Sequence, residues 1–288
     1  MRTVKTYCTA AVAGVGLLGL AACGGTAGTG TTAAKGVDKA VQSVAEAMAL
    51  TTKSTQQYRS VKISLDEKIQ VQGNNVNVTG DGAMSWKPLA MDMTMHSSQL
   101  AAQLGSSDIR TLMTGTTMYM GFTGAAPKGM DGKHWMKLDF SSMGAAGRAM
   151  AQQLNKASGQ DPASQVKLAT SSNDLKRVGT ETVNGVTATH YAGTVNLAKA
   201  AAKQGLDADL KSVLDQDAKL GIDTMNVDLW VDGQNRPVKI HQSTPATAKV
   251  VMDVTIDYSD YSNTPVTVTP PAPSDTVDLA KQLSGLKG

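Results

Sequence analysis

Residues 61–71 read VKISLDEKIQV, and their alternation decides the fold class. Every second residue from Val61 to Val71 is apolar, with the single exception of Glu67, and the residues between them are polar. A period of two is typical of a β-strand that buries one face and exposes the other. This stretch therefore predicts a strand at the surface of a core, with one carboxyl side chain on its apolar face.

The same alternation recurs along most of the chain. It is seen in segments 75–86, 89–96, 116–122, 134–140, 177–195, 226–243 and 250–261. Asn184-Gly185 and Asp232-Gly233 interrupt two of these segments and favour tight hairpin turns. Helical spacing of apolar residues predicts helices at Val37–Tyr58, Ser141–Ser158 and Leu197–Leu220. Antiparallel strands with one apolar face need a cover, so we expect an α+β fold with helices on one side of the sheet.

The start of the chain is typical of a secretory signal. Arg2 and Lys5 supply positive charge, and a small and apolar run follows from Ala10 to Leu20. This run is shorter than the roughly 20 residues that a stable transmembrane helix needs. We therefore predict a signal peptide at residues 1–22, which is removed from the mature protein.

Cys23 directly follows this segment, in the sequence Leu20-Ala21-Ala22-Cys23. These four residues resemble the lipobox of bacterial lipoproteins, in which the signal is cut before a cysteine whose thiol carries a diacyl group. Cys8 would leave with the signal, so the mature chain would keep one thiol and form no internal disulfide. The alternative is an ordinary signal that is cut at an Ala-x-Ala site. Residues 23–36 are rich in glycine and threonine and predict a flexible tether.

The remaining residues, 37–288, show no internal repeat and predict one domain with a Pro-rich, extended C-terminal end.

The net charge is only +3, which argues against nucleic acid as a partner, because binding to nucleic acid favours a strongly basic surface. We expect a monomer that meets the membrane through acylated Cys23.

Methionine is abundant, with 15 residues, whereas aromatic residues make up only 4% of the chain. Methionine is flexible and polarisable and fits irregular apolar surfaces. One interpretation is an ordinary core, and the other is an apolar cavity that accommodates acyl chains. The candidate cavity-lining residues are Met84, Met91, Met93, Met95, Met118, Met120 and Met136.

Motifs for catalysis or metal binding are not found in the sequence. The histidines have none of the close spacings of a zinc site, and the chain has no GxSxG elbow, SxxK motif or phosphate-binding loop. We therefore expect neither an enzyme nor a cofactor. The histidines are His96, His134, His190 and His241.

Taken together, the lipobox, the glycine-rich tether, the long first helix and the meander of strands resemble actinobacterial lipoproteins of the LppX/LprG type, within the wider LolA/LolB-like group. The most specific pieces are W-V-D-G-x-x-R-P-V at Trp230 to Val238 and Tyr258-Ser259-Asp260-Tyr261. The resemblance extends over Val37 to Leu279. It implies a strongly curved antiparallel half-barrel, with helices packed on its concave face and an apolar cavity between them.

The resemblance also implies a function, which is to hold the acyl chains of a lipid at the outer face of the cytoplasmic membrane. The leading hypothesis is therefore a non-catalytic lipid carrier whose partner could be a membrane transporter. A second hypothesis is an interaction or sensor lipoprotein with a filled core that modulates a membrane partner. An extracytoplasmic hydrolase is the third.

Overall fold

The structure is a computed structural model that describes residues 43–281, apart from residues 72, 100, 102–104, 145–146, 149–150, 152–161, 172–173, 203–210, 212–217 and 219–220. The predicted signal peptide, Cys23 and the tether lie outside the described residues. So do parts of all three predicted helices.

Twelve strands form a single sheet. In chain order they are β1 (Ser60–Val71), β2 (Asn74–Trp86), β3 (Leu89–His96), β4 (Asp108–Thr114), β5 (Thr117–Phe122), β6 (Trp135–Asp139), β7 (Lys176–Val183), β8 (Val186–Asn196), β9 (Thr224–Asp232), β10 (Pro237–Ser243), β11 (Val250–Ser262) and β12 (Thr276–Asp278).

The spatial order of the strands is β12-β6-β5-β4-β3-β2-β1-β11-β10-β9-β8-β7. Two meanders, β1 to β6 and β7 to β11, meet where β1 pairs with β11. Neighbouring strands are antiparallel, except for β12 beside β6. The edge strands β12 and β7 do not pair with each other, so the sheet is open. The predicted α+β half-barrel is confirmed.

Three α-helices have their full range within the described residues: α1 (Val44–Thr55), α2 (Pro162–Ala169) and α3 (Leu197–Ala201). Helix α1 begins after Ser43, which forms a capping box with Glu46: Glu46 N donates to Ser43 Oγ at 3.2 Å and Ser43 N donates to Glu46 Oε2 at 3.0 Å. The cap places the start of the helix later than the predicted Val37. Its end at Thr55 comes before the predicted Tyr58.

Three elements differ from the sequence-based expectation. Strands β4 and β12 and helix α2 were not predicted, and strands from residue 177 were expected to be the next elements after the helix at Ser141–Ser158. Helix α2 has only eight residues, of which six are buried, so it lacks the polar stripe that marks an amphipathic helix. In β4, buried Leu112 lies between Thr111 and Met113 and blurs the alternation.

The predicted hairpin at Asn184-Gly185 is confirmed. Val183 pairs with Val186, and the two residues between them have positive φ angles of 49° and 78°. Asparagine and glycine tolerate this left-handed conformation, which a tight hairpin turn requires.

The core lies on one face of the sheet, in three clusters. The central cluster joins Ala47 and Met48 of α1 and Val166 of α2 to strands on both sides of the β1–β11 pair. A second cluster joins the end of α2 and α3 to β8 and β9. A third lies at the far edge, where Ile109, Phe122, Met130 and Val277 meet.

Candidate functional site

The candidate methionines lie on one face of the sheet, because the cross-strand register aligns them. Met84 pairs with Met91, Met91 with Met113, Met113 with Met118, and Met118 with Leu138. Directly opposed residues in neighbouring strands project to the same side. A continuous apolar row therefore crosses β2 to β6.

A second row lies two residues along each strand. Gly82 pairs with Met93, Met93 with Thr111, Thr111 with Met120, and Met120 with Met136. In the next row, Met95 pairs with Gly80 and Ile109. We call these aligned residues the methionine face: Met84, Met91, Met93, Met95, Met113, Met118, Met120 and Met136.

Burial divides the methionine face into two parts. Met84 and Met93 are buried, with 5% and 8% exposure. A Cβ atom at Gly82 would lie only 2.8 Å from Met93 Cγ, so the absent side chain of Gly82 lets Met93 lie against β2. The other predicted residues are half-buried, and so is Met113: Met91, Met95, Met118, Met120 and Met136. The half-buried part keeps some of its surface accessible, and its role as a lipid-cavity lining stays a prediction.

Met113 is the residue of this face that sequence reasoning missed. It follows Ile109 and Thr111 at a spacing of two, but the strand itself was not predicted, so the methionine was not assigned a face. The spacing Ile109-Thr111-Met113 is the signal that could have identified it.

Glu67 is the polar residue on the apolar side of β1 that the sequence singled out. It is 6% exposed and pairs with Val78 on β2 and Val254 on β11, both of which are buried. Burial disfavours the charged form and raises the pKa of the Glu67 carboxyl.

The raised pKa predicts a pH-dependent stability difference between wild type and Glu67→Gln. Between the ordinary pKa of 4.5 and the higher folded value, the folded state holds a proton that the unfolded state has lost. Wild-type stability should therefore fall as pH rises through this window, and the glutamine variant should be relatively more stable at pH 7. Below pH 4.5 the two curves should converge.

Urea unfolding at a series of pH values measures this difference. Asp66→Asn is the matched control, because Asp66 lies next to Glu67 but is exposed on the other face of β1. A difference between wild type and Glu67→Gln that does not change with pH would contradict burial of the carboxyl.

The two sequence pieces that carry the family resemblance meet in space and form a structural clamp. The buried carboxylate of Asp232 accepts hydrogen bonds from the backbone N–H groups of Gln234 and Arg236, at 2.9 and 2.8 Å. The Arg236 guanidinium donates back to Asp232 at 2.9 and 2.7 Å. Its Cζ lies 5.5 Å from the Tyr261 ring centroid and 6.0 Å from that of Tyr58. These residues hold the end of α1 to two strands.

The histidines are not isolated in the fold, although they are isolated in sequence. His190 contacts Glu181 and Asp228 at 2.7 Å each, and His241 contacts Asp228 at 3.5 Å and Asp253 at 3.3 Å. This chain of hydrogen-bonding groups lies on the side of the sheet opposite the methionine face, which we call the polar face. Within the described part of the chain, no group of three or more His, Cys, Asp or Glu residues is arranged to hold a metal ion.

The polar face also carries an open groove of about 1310 Å³. Its walls include Ser64, Asp81 and Thr94, together with the ion pair between Arg110 and Asp92 at 2.7 Å. These side chains alternate with those of the methionine face, so the groove and the methionine face lie on opposite sides of the sheet.

Across the residues described, no helix is long and apolar enough to cross a membrane.

Comparisons with known proteins agree with the sequence-based resemblance, although no protein-family model matches the chain. An uncharacterised 31.2 kDa protein of Streptomyces griseus is 40% identical over 159 residues, which cover 53% of this chain and 50% of that protein. The chain thus matches about half the length of this relative. A protein of Streptomyces coelicolor, named as a candidate lipoprotein, is 25% identical over 229 residues, which cover 76% of this chain and 70% of that protein.

Solved structures of mycobacterial lipoproteins are also similar. The lipoprotein LppX of Mycobacterium tuberculosis has 15% identity and a TM-score of 0.47, over 79% of this chain and 100% of that one. LprF of Mycobacterium bovis has 15% identity and a TM-score of 0.45, over 79% of this chain and 98% of that one. The chain is thus similar to a Streptomyces protein named as a candidate lipoprotein and, with low identity, to the solved structures of LppX and LprF.

Proposed function

We propose that this protein is a membrane-anchored, non-catalytic lipoprotein that holds the acyl chains of a lipid against the methionine face. The observation that carries the proposal is the alignment of half-buried methionines across β3 to β6 on the side of the sheet where the helices pack. Such a surface is apolar, continuous and only partly covered by the core.

The physical basis of carriage is that an apolar surface keeps methylene groups out of water. Each CH₂ left exposed to water would cost about 0.8 kcal/mol, so an apolar protein surface offsets most of the cost of taking an acyl chain out of a bilayer. Methionine suits this task because its unbranched side chain adapts to a flexible ligand. No bond needs to be broken, which is consistent with a carrier rather than an enzyme.

The proposal includes an anchor and a location. The lipobox-like residues before Cys23 support acylation of its thiol and retention at the outer face of the cytoplasmic membrane. The names of the relatives as lipoproteins support the same location. A membrane transporter that loads or unloads the carrier is the partner we propose.

Replacing Met118 with tryptophan tests the proposed ligand site. Met118 is half-buried between Met113 and Leu138, so the larger ring should occupy ligand space without overpacking the core. We expect binding of a fluorescent fatty-acyl probe to weaken several-fold, with a thermal unfolding temperature close to that of wild type.

Tyr119→Trp is the matched control, because Tyr119 lies on the opposite face of the same strand. Its probe binding should equal that of wild type. Unchanged binding in Met118→Trp would overturn the assignment of this face. Wild-type protein that binds no probe would instead favour the alternative of an interaction or sensor lipoprotein with a filled core.

A further inference from the structure

Glu67 lies beside the methionine face but is not part of it. Two residues before it on β1, Leu65 pairs with Gly80, which in turn pairs with Met95. Glu67 therefore projects to the same side as the methionines, about 7 Å along the strand from this row. It interrupts the apolar face just beyond the end of β3 at His96, and Ile69 continues that face along β1.

The Glu67 carboxyl has no hydrogen-bond or ion-pair partner among the residues that the structure describes. Its direct neighbours in the sheet, Val78 and Val254, are apolar. The next polar side chain along the same row is Gln242, and its Nε2 donates to Gln165 Oε1 of α2 at 3.0 Å. These two amide groups hydrogen-bond to each other, and no hydrogen bond joins either of them to the Glu67 carboxyl.

An unpaired carboxyl in an apolar surface costs stability, since burial without a hydrogen bond forfeits the solvation of the group. In the described part of the chain, two side-chain polar atoms are both fully enclosed and without a hydrogen-bond partner: Ser171 Oγ and Trp230 Nε1. The Glu67 oxygens also lack a partner, but they are not among these fully enclosed atoms. The Glu67 oxygens are therefore reachable by a small polar group, although the residue as a whole is 94% buried, being 6% exposed.

We propose that Glu67 is the polar anchor of the lipid site and selects neutral lipids whose head group carries a free hydroxyl. This inference rests on the proposed function, because it assigns the head group of the same ligand whose acyl chains lie on the methionine face. The hydroxyl donates its hydrogen bond to a Glu67 oxygen, and the acyl chains extend from there over Met95 and the rows beyond.

The surroundings of Glu67 explain the choice of a hydroxyl. An anionic head group would place a second acidic group beside the carboxyl, and the residues that pair with Glu67 offer no cation to compensate. An ester without a hydroxyl would leave a carboxylate oxygen unsatisfied. A hydroxyl group supplies the missing donor without introducing charge.

Native mass spectrometry of the full chain in a non-ionic detergent tests this selectivity. The probes are dipalmitoylglycerol, its acetate ester and dipalmitoyl phosphatidic acid, which share acyl chains and differ in the head group. Wild type should retain dipalmitoylglycerol about tenfold more than either of the other two, in line with one hydrogen bond to a buried acidic group. Glu67→Leu should lose this preference and bind all three equally.

Glu67→Gln provides a second variant of nearly identical shape, which should fold even where the leucine variant does not. It removes the acidic group but keeps a hydrogen-bonding amide, so it should bind phosphatidic acid several-fold better than wild type and still prefer dipalmitoylglycerol to the acetate. Asp66→Asn, on the exposed face of β1, should match wild type in all three ratios.

The outcomes separate the two proposals. If wild type binds all three lipids equally and Glu67→Gln does not change the ratios, the anchor is refuted while acyl-chain carriage stands. If wild type binds none of them, both proposals fail.

Discussion

The Cys23→Ser variant is expected to leave the membrane entirely. Acylation forms a bond to the cysteine sulfur, and Cys23 is the only cysteine that remains after a cut at residue 22. Two acyl chains give stable anchoring, whereas a protein with none partitions into water. Detergent-phase partitioning should therefore fall from nearly complete to background, and intact-mass measurement should show no diacyl adduct. An uncleaved precursor, in which the signal itself holds the membrane, is distinguished by its mass.

Cys8→Ser is the matched control, because Cys8 lies within the predicted signal peptide. This variant should be processed, acylated and retained like wild type. A Cys23→Ser protein that is cut at the same position and still enters the detergent phase completely would refute the predicted anchor.

The Asp232→Ala variant is expected to be strongly destabilised. The substitution leaves the Arg236 guanidinium without its carboxylate and two turn N–H groups without their acceptor. Removing one partner of a buried ion pair costs roughly 3–5 kcal/mol. The midpoint of denaturant unfolding should fall accordingly, with little change in the slope of the transition.

Asp260→Asn serves as the control for this loss, because it removes the charge and asparagine tolerates the positive φ of 49° at this position. Asp260 pairs with Lys62 at 2.7 Å, but both side chains are about two-thirds exposed, at 65% and 64%. Solvent screens such a pair, so the variant should unfold close to wild type. Equal losses in both variants would show that the clamp at Asp232 does not stabilise the hairpin.

Much of the sheet could be predicted because its strands carry a strict period of two. The segment from Val250 to Tyr261 is an example: its alternation fixes both the strand and its buried face. Helix α2 could not be predicted, because Pro162 to Ala169 is small and mostly buried and has no polar stripe. Strand β12 has three residues, which is too few for any periodicity to show.

The candidate site was predictable in part for the same reason. Alternation assigns Met91, Met93 and Met95 to one side of their strand, but it does not say which residues they meet. Contact with Met113 depends on the pairing of β3 with β4, and the close approach of Met93 to Gly82 depends on the pairing with β2. The clamp could not be predicted from the sequence either, because Tyr58 and Arg236 are far apart in the chain and only meet once it has folded.

The seam between β1 and β11 has a consequence for how the protein assembles. Strand β1 is the first strand of the chain, yet nine further strands precede its partner β11 in the sequence. During synthesis or export, the meander β1 to β6 emerges with one edge of β1 open and its backbone N–H and C=O groups unpaired, which invites pairing with another chain. Folding is also slowed, because contacts between distant parts of the sequence close late. A chain released before residue 250 would lack β11, which joins the two meanders, and its open strand edges would be prone to aggregation.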